Sequence, residues 1–326
     1  MKYDMITIGG ATEDITFYTG EGVLLNNKKD LTKQKLLAFE YGAKIKVDKS
    51  FSGFGGGAAN AAVCFARLGF KAACLASIGG DERGRIILGN FKKQGVDVSL
   101  IQKTKQAETG FSFLLVGSGN EHICFSNRAA NDELRITDDE LRIMRDAKWI
   151  YLTSLSGSWR ENLEKIFSIK STKIAWNPGH RQILAGVNGL RKYFKRANCL
   201  IVNRDEAIEI VMSDRKYKNQ GAAFFGGAKN LLSALASYDS KIILITNGRH
   251  GADAMSEGKI YHQPIIKERL RVDTTGVGDA FGSSFIAGWE LYDHDIKRSL
   301  KLAAKNSAAE ISQQGAQNGL LWKKDI

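Results

Sequence analysis

The sequence has few residues of the kinds that build disulfides, metal cages or membrane spans. Its 326 residues include four cysteines that form no CxxC pair and stand in apolar stretches, which favours reduced core residues over disulfides or zinc ligands: Cys64, Cys74, Cys124 and Cys199. No apolar run is long enough to span a membrane, and the opening MKYDMITIGG predicts a strand rather than a signal peptide. We therefore expect a cytoplasmic protein that does not bind membranes.

The sequence also lacks the motifs of two large classes of phosphate-transferring protein. It has no GxxxxGK[ST] loop, which excludes a P-loop kinase, and no HRD and DFG pair, which excludes a protein kinase. The net charge is +12, but the basic residues are scattered and not interleaved with aromatic residues. This distribution indicates a solvated surface, and we expect no nucleic-acid partner.

Short apolar runs alternate with helical stretches along most of the chain. This pattern predicts an α/β fold, with a mainly parallel sheet covered by helices on both faces, in one domain over residues 1–326. Ligands of such sheets bind at the carboxyl ends of the strands, where Asp14, Asn203 and Thr246 are expected. The runs are 5–8, 72–77, 148–152, 173–176, 199–202 and 241–245.

Two other segments, 16–52 and 106–127, have a different pattern. The second reads as a hairpin of 111–116 and 122–126 around a glycine-containing turn at 117–120. Together the segments predict a second, smaller β-sheet. The first segment contains a charged loop at 28–35 and strand-like pieces at 17–18, 23–25, 39–41 and 45–47.

The stretch DTTGVGDAF, residues 273–281, is the most informative in the chain. Gly276 and Gly278 flank Val277, and a helical run follows, so backbone N–H groups and a helix amino end can bind an anion such as a phosphate. Asp279, in the first turn, is placed to take a proton from an attacking hydroxyl. Taken alone, the motif is equally compatible with a plain turn in which Asp279 only complements the helix dipole.

A second glycine cluster, Gly53-x-Gly55-x-x-Ala58, matches the dinucleotide-binding pattern. That pattern should follow the first strand of a βαβ unit and be followed by an acidic residue after the second strand. Neither condition is met in the sequence. The glycines are better explained as a close approach of the backbone to a small polyol, with Asn60 hydrogen-bonded to a hydroxyl group.

Five motifs in order resemble those of the ribokinase (PfkB) family of carbohydrate kinases. They cover nearly the whole chain, and the resemblance implies a ribokinase-like fold in which the second sheet is a lid over the substrate. The motifs are the stretch 273–281, GGGAAN at 55–60 with ARLG at 66–69, Asn203-x-x-Glu206, Thr246-x-Gly248-x-x-Gly251, and Asn306.

The resemblance also implies an activity and a set of site residues. The chain would transfer the γ-phosphoryl group of ATP to a hydroxyl of a small sugar, with Asp279 as general base and Gly276, Val277 and Gly278 as the anion hole. Substrate would contact Asp14, Gly56, Gly57, Asn60 and Asn131. The nucleotide would contact Asn203, Glu206, Thr246, Gly248, Gly251 and Asn306. Mg²⁺ would be held through water at Glu206, and K⁺ at Asp273, Thr275 and carbonyls near Gly315.

Other functions stay open at this point. Ribokinase has a lysine where this chain has Gly57, so ribose itself is in doubt, and a nucleoside kinase shares the scaffold. A sugar- or nucleotide-binding regulator without catalysis is a third possibility, although such a protein has no need of Asp279. An apolar face on the lid would imply a homodimer.

Overall fold

The computed structural model describes residues 2–27, 35–117, 122–268 and 270–326. Most of the strands are short, as the sequence predicts. In chain order they are β1 Met5–Ile8, β2 Thr12–Tyr18, β3 Val23–Asn26, β4 Lys35–Ala38, β5 Lys49–Gly55, β6 Ala72–Leu75, β7 Ser77–Gly79, β8 Gln102–Thr104, β9 Phe111–Val116, β10 His122–Asn127, β11 Trp149–Leu152, β12 Lys173–Trp176, β13 Cys199–Asn203, β14 Ile242–Thr246, β15 Ala252–Ser256 and β16 Lys259–Gln263.

The helices fall mainly between these strands. They are α1 Gly57–Arg67, α2 Glu82–Lys93, α3 Asp138–Arg145, α4 Trp159–Ser168, α5 His180–Ile183, α6 Gly186–Arg196, α7 Arg204–Met212, α8 Ala222–Gly226, α9 Ala228–Ala236, α10 Val277–Leu291 and α11 Ile296–Glu310. None of the helices in the described part of the chain has the length and apolarity of a membrane span.

The larger sheet has the order β16-β15-β14-β13-β12-β11-β1-β6, and its six strands from β14 to β6 are parallel. Helices cover both faces. Along β11, Ile150 and Leu152 join one hydrophobic cluster and Trp149 and Tyr151 join the other, as expected for strands buried on both sides. The predicted α/β fold with a mainly parallel sheet is confirmed.

The predicted second sheet is also present, in the order β10-β9-β2-β5. It is mixed, because β9 pairs parallel with β2 while the outer pairs are antiparallel. This sheet begins at Thr12 rather than at residue 16. Asp14 therefore lies inside β2, whereas the sequence predicted it at the end of β1. Gly53 and Gly55 lie in β5, an antiparallel strand outside the larger sheet, which removes the structural basis for a dinucleotide motif.

Several local predictions differ from the structure. Residues 39–41 and 45–47 are not strands, whereas β15 and β16 were missed. Cys124 is exposed on β10, while the other three cysteines are buried as predicted, and all four are free thiols. Residues 28–34 of the predicted charged loop and 118–120 of the predicted hairpin turn lie outside the described residues.

Candidate active site

The amino end of α10 is formed by a glycine turn. Gly276 has a left-handed backbone, with a φ of 76°, and a Cβ there would lie 2.5 Å from the Cβ of Ala316. α10 begins at Val277 and carries Asp279 in its first turn. Val277 N makes only a long contact, 3.4 Å, with the carbonyl oxygen of Thr274. Because the first N–H groups of a helix have no partner inside it, this end of α10 can bind an anion.

Asp279 faces the beginning of α1. Nδ2 of Asn60 donates to Oδ2 of Asp279 over 2.8 Å. Gly57 is so close that a Cβ there would lie 3.2 Å from Oδ1 of Asp279. Burial raises the pKa of Asp279, and the hydrogen bond from Asn60 opposes that shift. A carboxyl group with a raised pKa beside an anion site is suited to accept a proton.

Asp14 lies close to Asp279, on the second sheet. Its side chain is 9% exposed, and its Oδ1 accepts a hydrogen bond of 3.1 Å from Oγ1 of Thr12. Burial raises the pKa of Asp14 to about 6, hydrogen bonds from Ser112 and Thr12 lower it, and the charges of Asp279 and Asp273 raise it further. The three carboxyl groups therefore share one acidic region.

Three consecutive glycines let β5 and α1 approach this region. A Cβ at Gly55 would lie 1.9 Å from Oδ2 of Asp14, so any side chain would displace the carboxylate. Gly56 has a φ of 91°, and its Cβ would lie 2.4 Å from the carbonyl oxygen of Gly10. Together with Gly57, these residues line the space beside Asp14 without filling it.

Asn131, a predicted substrate residue, is bonded to backbone through both ends of its amide. Its Nδ2 donates to the carbonyl oxygens of Ala11, over 3.3 Å, and Arg128, over 3.1 Å, while its Oδ1 accepts from the N–H of Ala11 over 3.0 Å. Because both N–H groups of the amide are used by backbone, Asn131 fastens the 129–133 turn to the segment before β2. The substrate contact of Asn131 stays a prediction.

A groove of about 490 Å³ lies beside the amino end of α10. Its apolar wall includes Ile266, Phe281 and Ile311. The groove brings together residues from several predicted motifs. These are Asn203 and Thr246 at the ends of β13 and β14, Gly248 and Gly251 after β14, and Val277 and Gly278 in α10.

Asn306, a predicted nucleotide residue, is not among the residues that line this groove. It is fully buried, its Nδ2 donates to Oγ of Ser284 over 2.7 Å, and its Oδ1 accepts from the N–H of Leu321 over 2.8 Å. Its amide therefore joins α11 to α10 and to the end of the chain. The groove is lined instead by Ser307, the next residue along α11.

Glu206 caps α7 and belongs to a cluster of carboxyl groups. It accepts from the N–H of Asn203 over 2.8 Å, and Asn203 accepts from the N–H of Glu206 over 2.9 Å. Burial raises the pKa of Glu206 to about 7, the Asn203 N–H lowers it, and the charges of Glu209, Asp205 and Asp279 raise it. The surplus of negative charge would be relieved by a bound cation.

Asp273 organises the turn before α10. Its Oδ1 accepts from the N–H of Thr275, and its Oδ2 accepts from Nε2 of Gln314 and the N–H of Gly315, each over 2.9 Å. Oγ1 of Thr275 is buried without a hydrogen-bond partner among the described residues. An unpartnered hydroxyl oxygen beside a buried carboxylate fits a monovalent cation.

The sequence between residues 26 and 324 matches the pfkB family carbohydrate kinases. The chain belongs to the pfkB family of carbohydrate kinases. It is a sugar kinase. This kinase is 28% identical over 281 residues to a ribokinase of Haemophilus influenzae, covering 83% of this chain and 85% of that protein. It is 25% identical over 264 residues to an ATP-dependent ribose-1-phosphate kinase of Halopiger xanaduensis, covering 81% of this chain and 82% of that protein.

Solved structures confirm the predicted ribokinase-like fold. The kinase resembles the Methanocaldococcus jannaschii nucleoside kinase with a TM-score of 0.77 and 18% identity, covering 99% of this chain and 96% of that chain. It resembles the Arabidopsis thaliana ribokinase, complexed with ribose and ATP, with a TM-score of 0.75 and 18% identity, covering 99% of this chain and 97% of that chain.

Several residues that line the groove of this kinase were not predicted from the sequence. Arg249 and Arg271 line it, and Nε of Arg271 lies 3.0 Å from Oε1 of Glu268, another lining residue. The TxGxxG spacing contains Arg249 and points to its position. The segment around Arg271, which follows β16, carries no such pattern.

Proposed function

We propose that this kinase transfers the γ-phosphoryl group of ATP to a hydroxyl group of a small sugar. The observation that carries this proposal is the position of Asp279. Val277 and Gly278 beside it line the groove, while its own carboxylate contacts Asn60 and influences Asp14. A proton acceptor at the junction of an anion-binding groove and a pocket of carboxylate and amide groups suits transfer between a nucleotide and a polyol.

The proposed reaction is an in-line displacement. Vicinal hydroxyls of the sugar donate to Asp14, beside Asn60, and one hydroxyl faces Asp279. As its oxygen bonds to the γ-phosphorus, the hydroxyl gives its proton to Asp279, and the bond to the leaving oxygen breaks with its electron pair staying on ADP. N–H groups of Gly276, Val277 and Gly278 donate to the transferring phosphoryl group, whose negative charge they stabilise.

We further propose that Mg²⁺ is held near Glu206, largely through water. A single carboxylate suits this ion, because Mg²⁺ keeps much of its hydration and takes its other ligands from nucleotide phosphates. In the described part of the chain, no three acidic, histidine or cysteine side chains form a ready metal cage. When bound, Mg²⁺ supplies positive charge to the phosphates of ATP.

A K⁺ ion fits the turn before α10. Asp273, Thr275 and backbone carbonyls near Gly315 would hold it, and the buried, unpartnered Oγ1 of Thr275 supports this proposal. There the ion would fix the backbone that leads into the anion site.

A nucleoside is the second candidate substrate, because its ribose offers the same vicinal hydroxyls to Asp14. The structural relatives include kinases of both substrate classes. ATP turnover with D-ribose, D-fructose, adenosine and inosine separates the two. We expect turnover with a sugar; turnover with nucleosides alone would show a nucleoside kinase. If no compound in a broad panel is phosphorylated but ligands still raise the melting temperature, the protein is a binding regulator.

We also propose that the kinase is a homodimer joined through its exposed apolar strands. β3 and β4 form a separate two-stranded sheet, in which Val23 is 62% and Leu24 50% exposed, and on β10 Phe125 is 54% exposed. A two-stranded apolar sheet is not stable alone, so a partner surface would complete it. Sedimentation should give a dimer for the wild type and a folded monomer for Leu24→Asp. A wild-type monomer at micromolar concentration would contradict the proposal.

A further inference from the structure

Asn60, which contacts Asp279, is itself held by a row of amide side chains. Its Oδ1 accepts from Nε2 of Gln317 over 3.0 Å, and Oε1 of Gln317 accepts from Nδ2 of Asn90 over 2.8 Å. Asn60 and Gln317 are both 4% exposed, so water competes little for these groups. The row runs from α2 through the turn after α11 and the start of α1 to α10, and each amide donates toward Asp279.

The carboxylate of Asp279, at the end of this row, determines which way each amide is oriented. An ionised carboxylate only accepts hydrogen bonds, whereas each amide has one donating and one accepting end. Asn60 must therefore turn its NH₂ group to Asp279 and its carbonyl to Gln317. Gln317 in turn must donate to Asn60 and accept from Asn90. Reversing any one amide would bring two oxygens or two NH₂ groups into contact.

The turn that carries Gln317 is fixed from several sides. The N–H of Gly315 donates to Asp273 over 2.9 Å, and Ala316 fills the space in which a side chain at Gly276 would stand. The same short turn therefore contacts the anion site and the residue that orients Asp279. Gln317 has little freedom to move away from Asn60.

We propose that Gln317 and Asn90 are positioning residues, which hold the Asn60 amide with its NH₂ group on Asp279 and so keep the carboxylate aimed and in its proton-accepting form. This inference rests on the proposed role of Asp279 as general base. Neither residue need touch the sugar or the nucleotide. Their effect passes through Asn60, and it should therefore appear in the ionisation of Asp279 rather than in substrate affinity.

Gln317→Glu reverses the Asn60 amide and leaves the bond from Asn90 in place. A carboxylate at position 317 accepts at both oxygens, so Asn60 must turn its NH₂ group toward it and its carbonyl toward Asp279. We expect the titration of Asp279, followed by carboxyl ¹³C NMR and assigned with Asp279→Asn, to move to higher pH. The acid limb of kcat with D-ribose or D-fructose and ATP should move with it. At the acid end the rate should fall about tenfold, with a far smaller change in KM.

Three further variants make the test specific. Gln317→Met removes the donor without adding charge, and should move the titration of Asp279 in the same direction by less. Asn90→Asp, at a partly exposed position, puts an acceptor beside Gln317, which should turn its NH₂ group toward position 90. The change should then reach Asp279 through the side chains of Gln317 and Asn60. Gln313→Glu adds the same charge on an exposed side chain nearby, and should leave both the titration and kcat at wild-type values.

The outcomes separate the inference from the proposed function. If Asp279 titrates in Gln317→Met and Asn90→Asp as it does in Gln313→Glu, the positioning role is refuted, whatever the activity. If the wild type phosphorylates no sugar or nucleoside, the proposed function fails, while the NMR titration still decides whether the amide row controls Asp279.

Discussion

Asp14 is the residue whose charge should govern how tightly the sugar binds. Its pKa is about 6, and only the ionised form accepts hydrogen bonds from two hydroxyls. Sugar affinity should therefore be constant above pH 7 and about tenfold weaker at pH 5, where most Asp14 is protonated. Asp14→Asn should weaken binding by about 2–4 kcal/mol at pH 7.5 and remove this pH dependence. Titration calorimetry with the sugar that is turned over measures both effects.

The matched control for Asp14 is Asp139→Asn, on the exposed surface of α3. It should behave as the wild type at every pH. Unchanged sugar affinity in Asp14→Asn would remove Asp14 from the substrate site, whereas an unchanged pH profile would assign the pH dependence to another group.

Glu310 should make the stability of the protein fall as pH rises. It is fully buried at the carboxyl end of α11, and burial raises its pKa to about 8, although the positive charge of Arg67 opposes this shift. A group with a raised pKa in the folded state contributes its full stability below its unfolded pKa, near 4.5, and loses it as pH rises through 8.

Glu310→Gln should therefore match the wild type near pH 4.5 and exceed its unfolding free energy by roughly a few kcal/mol at pH 8.5. Urea denaturation at the two pH values measures the difference. Glu21→Gln, at an exposed position, is the control and should show no such trend. Equal stability of Glu310→Gln and wild type at pH 8.5 would mean that Glu310 is paired when ionised.

Some single residues of the site could be placed from the sequence, and others could not. Asp279 and the glycine turn were located from the sequence because their spacing encodes a backbone shape. Asn306 and Asn131 were expected to contact ligands. The Asn306 amide is bonded to Ser284 and Leu321. The Asn131 amide is bonded to the nearby carbonyl oxygen of Arg128 and to the backbone of Ala11, 120 residues away in sequence. Nothing near either asparagine in the chain indicates these partners.

Among the structural elements, the second sheet should respond most to substrate. Asp14 lies on β2, and the strand is tied to the body through Tyr18, whose hydroxyl accepts a hydrogen bond from Gln314. Sugar binding should slow amide exchange in β2, β9 and β10, because it joins this sheet to α1 and α10. Strand β12, in the core of the larger sheet, serves as the internal reference. Equal exchange in β2 with and without sugar would count against a closing lid.

The elements that were predicted well are strands in which almost every residue is buried. β1, β11, β12, β13 and β14 are continuous apolar runs, because helices cover both faces of the larger sheet. β5 was not predicted as one strand, since its sequence KSFSGFG has little apolar content and its conformation depends on pairing with β2. In β15 and β16, at the edge of the larger sheet, apolar and polar residues alternate only weakly. These two strands were missed because their conformation also depends on pairing.

At the scale of the whole molecule, the proposed nucleotide groove and the proposed sugar site meet at the amino end of α10. The groove forms at the carboxyl ends of the parallel strands β13 and β14, whereas Asp14 is supplied by the second sheet. Neither sheet alone holds all the proposed groups. Asp279 stands where the two sites meet, and the proposed function therefore depends on this residue more than on any other.

Steady-state kinetics of Asp279→Asn, paired with a thermal melt, tests the account most directly. Asparagine keeps the size of the side chain but cannot take the proton. We predict that kcat falls by roughly 10²–10⁴-fold, toward the low end if proton removal is late, while KM for the sugar changes far less and the melting temperature stays close to that of the wild type. A folded variant with kcat within a few-fold of the wild type would contradict the role of Asp279 as general base.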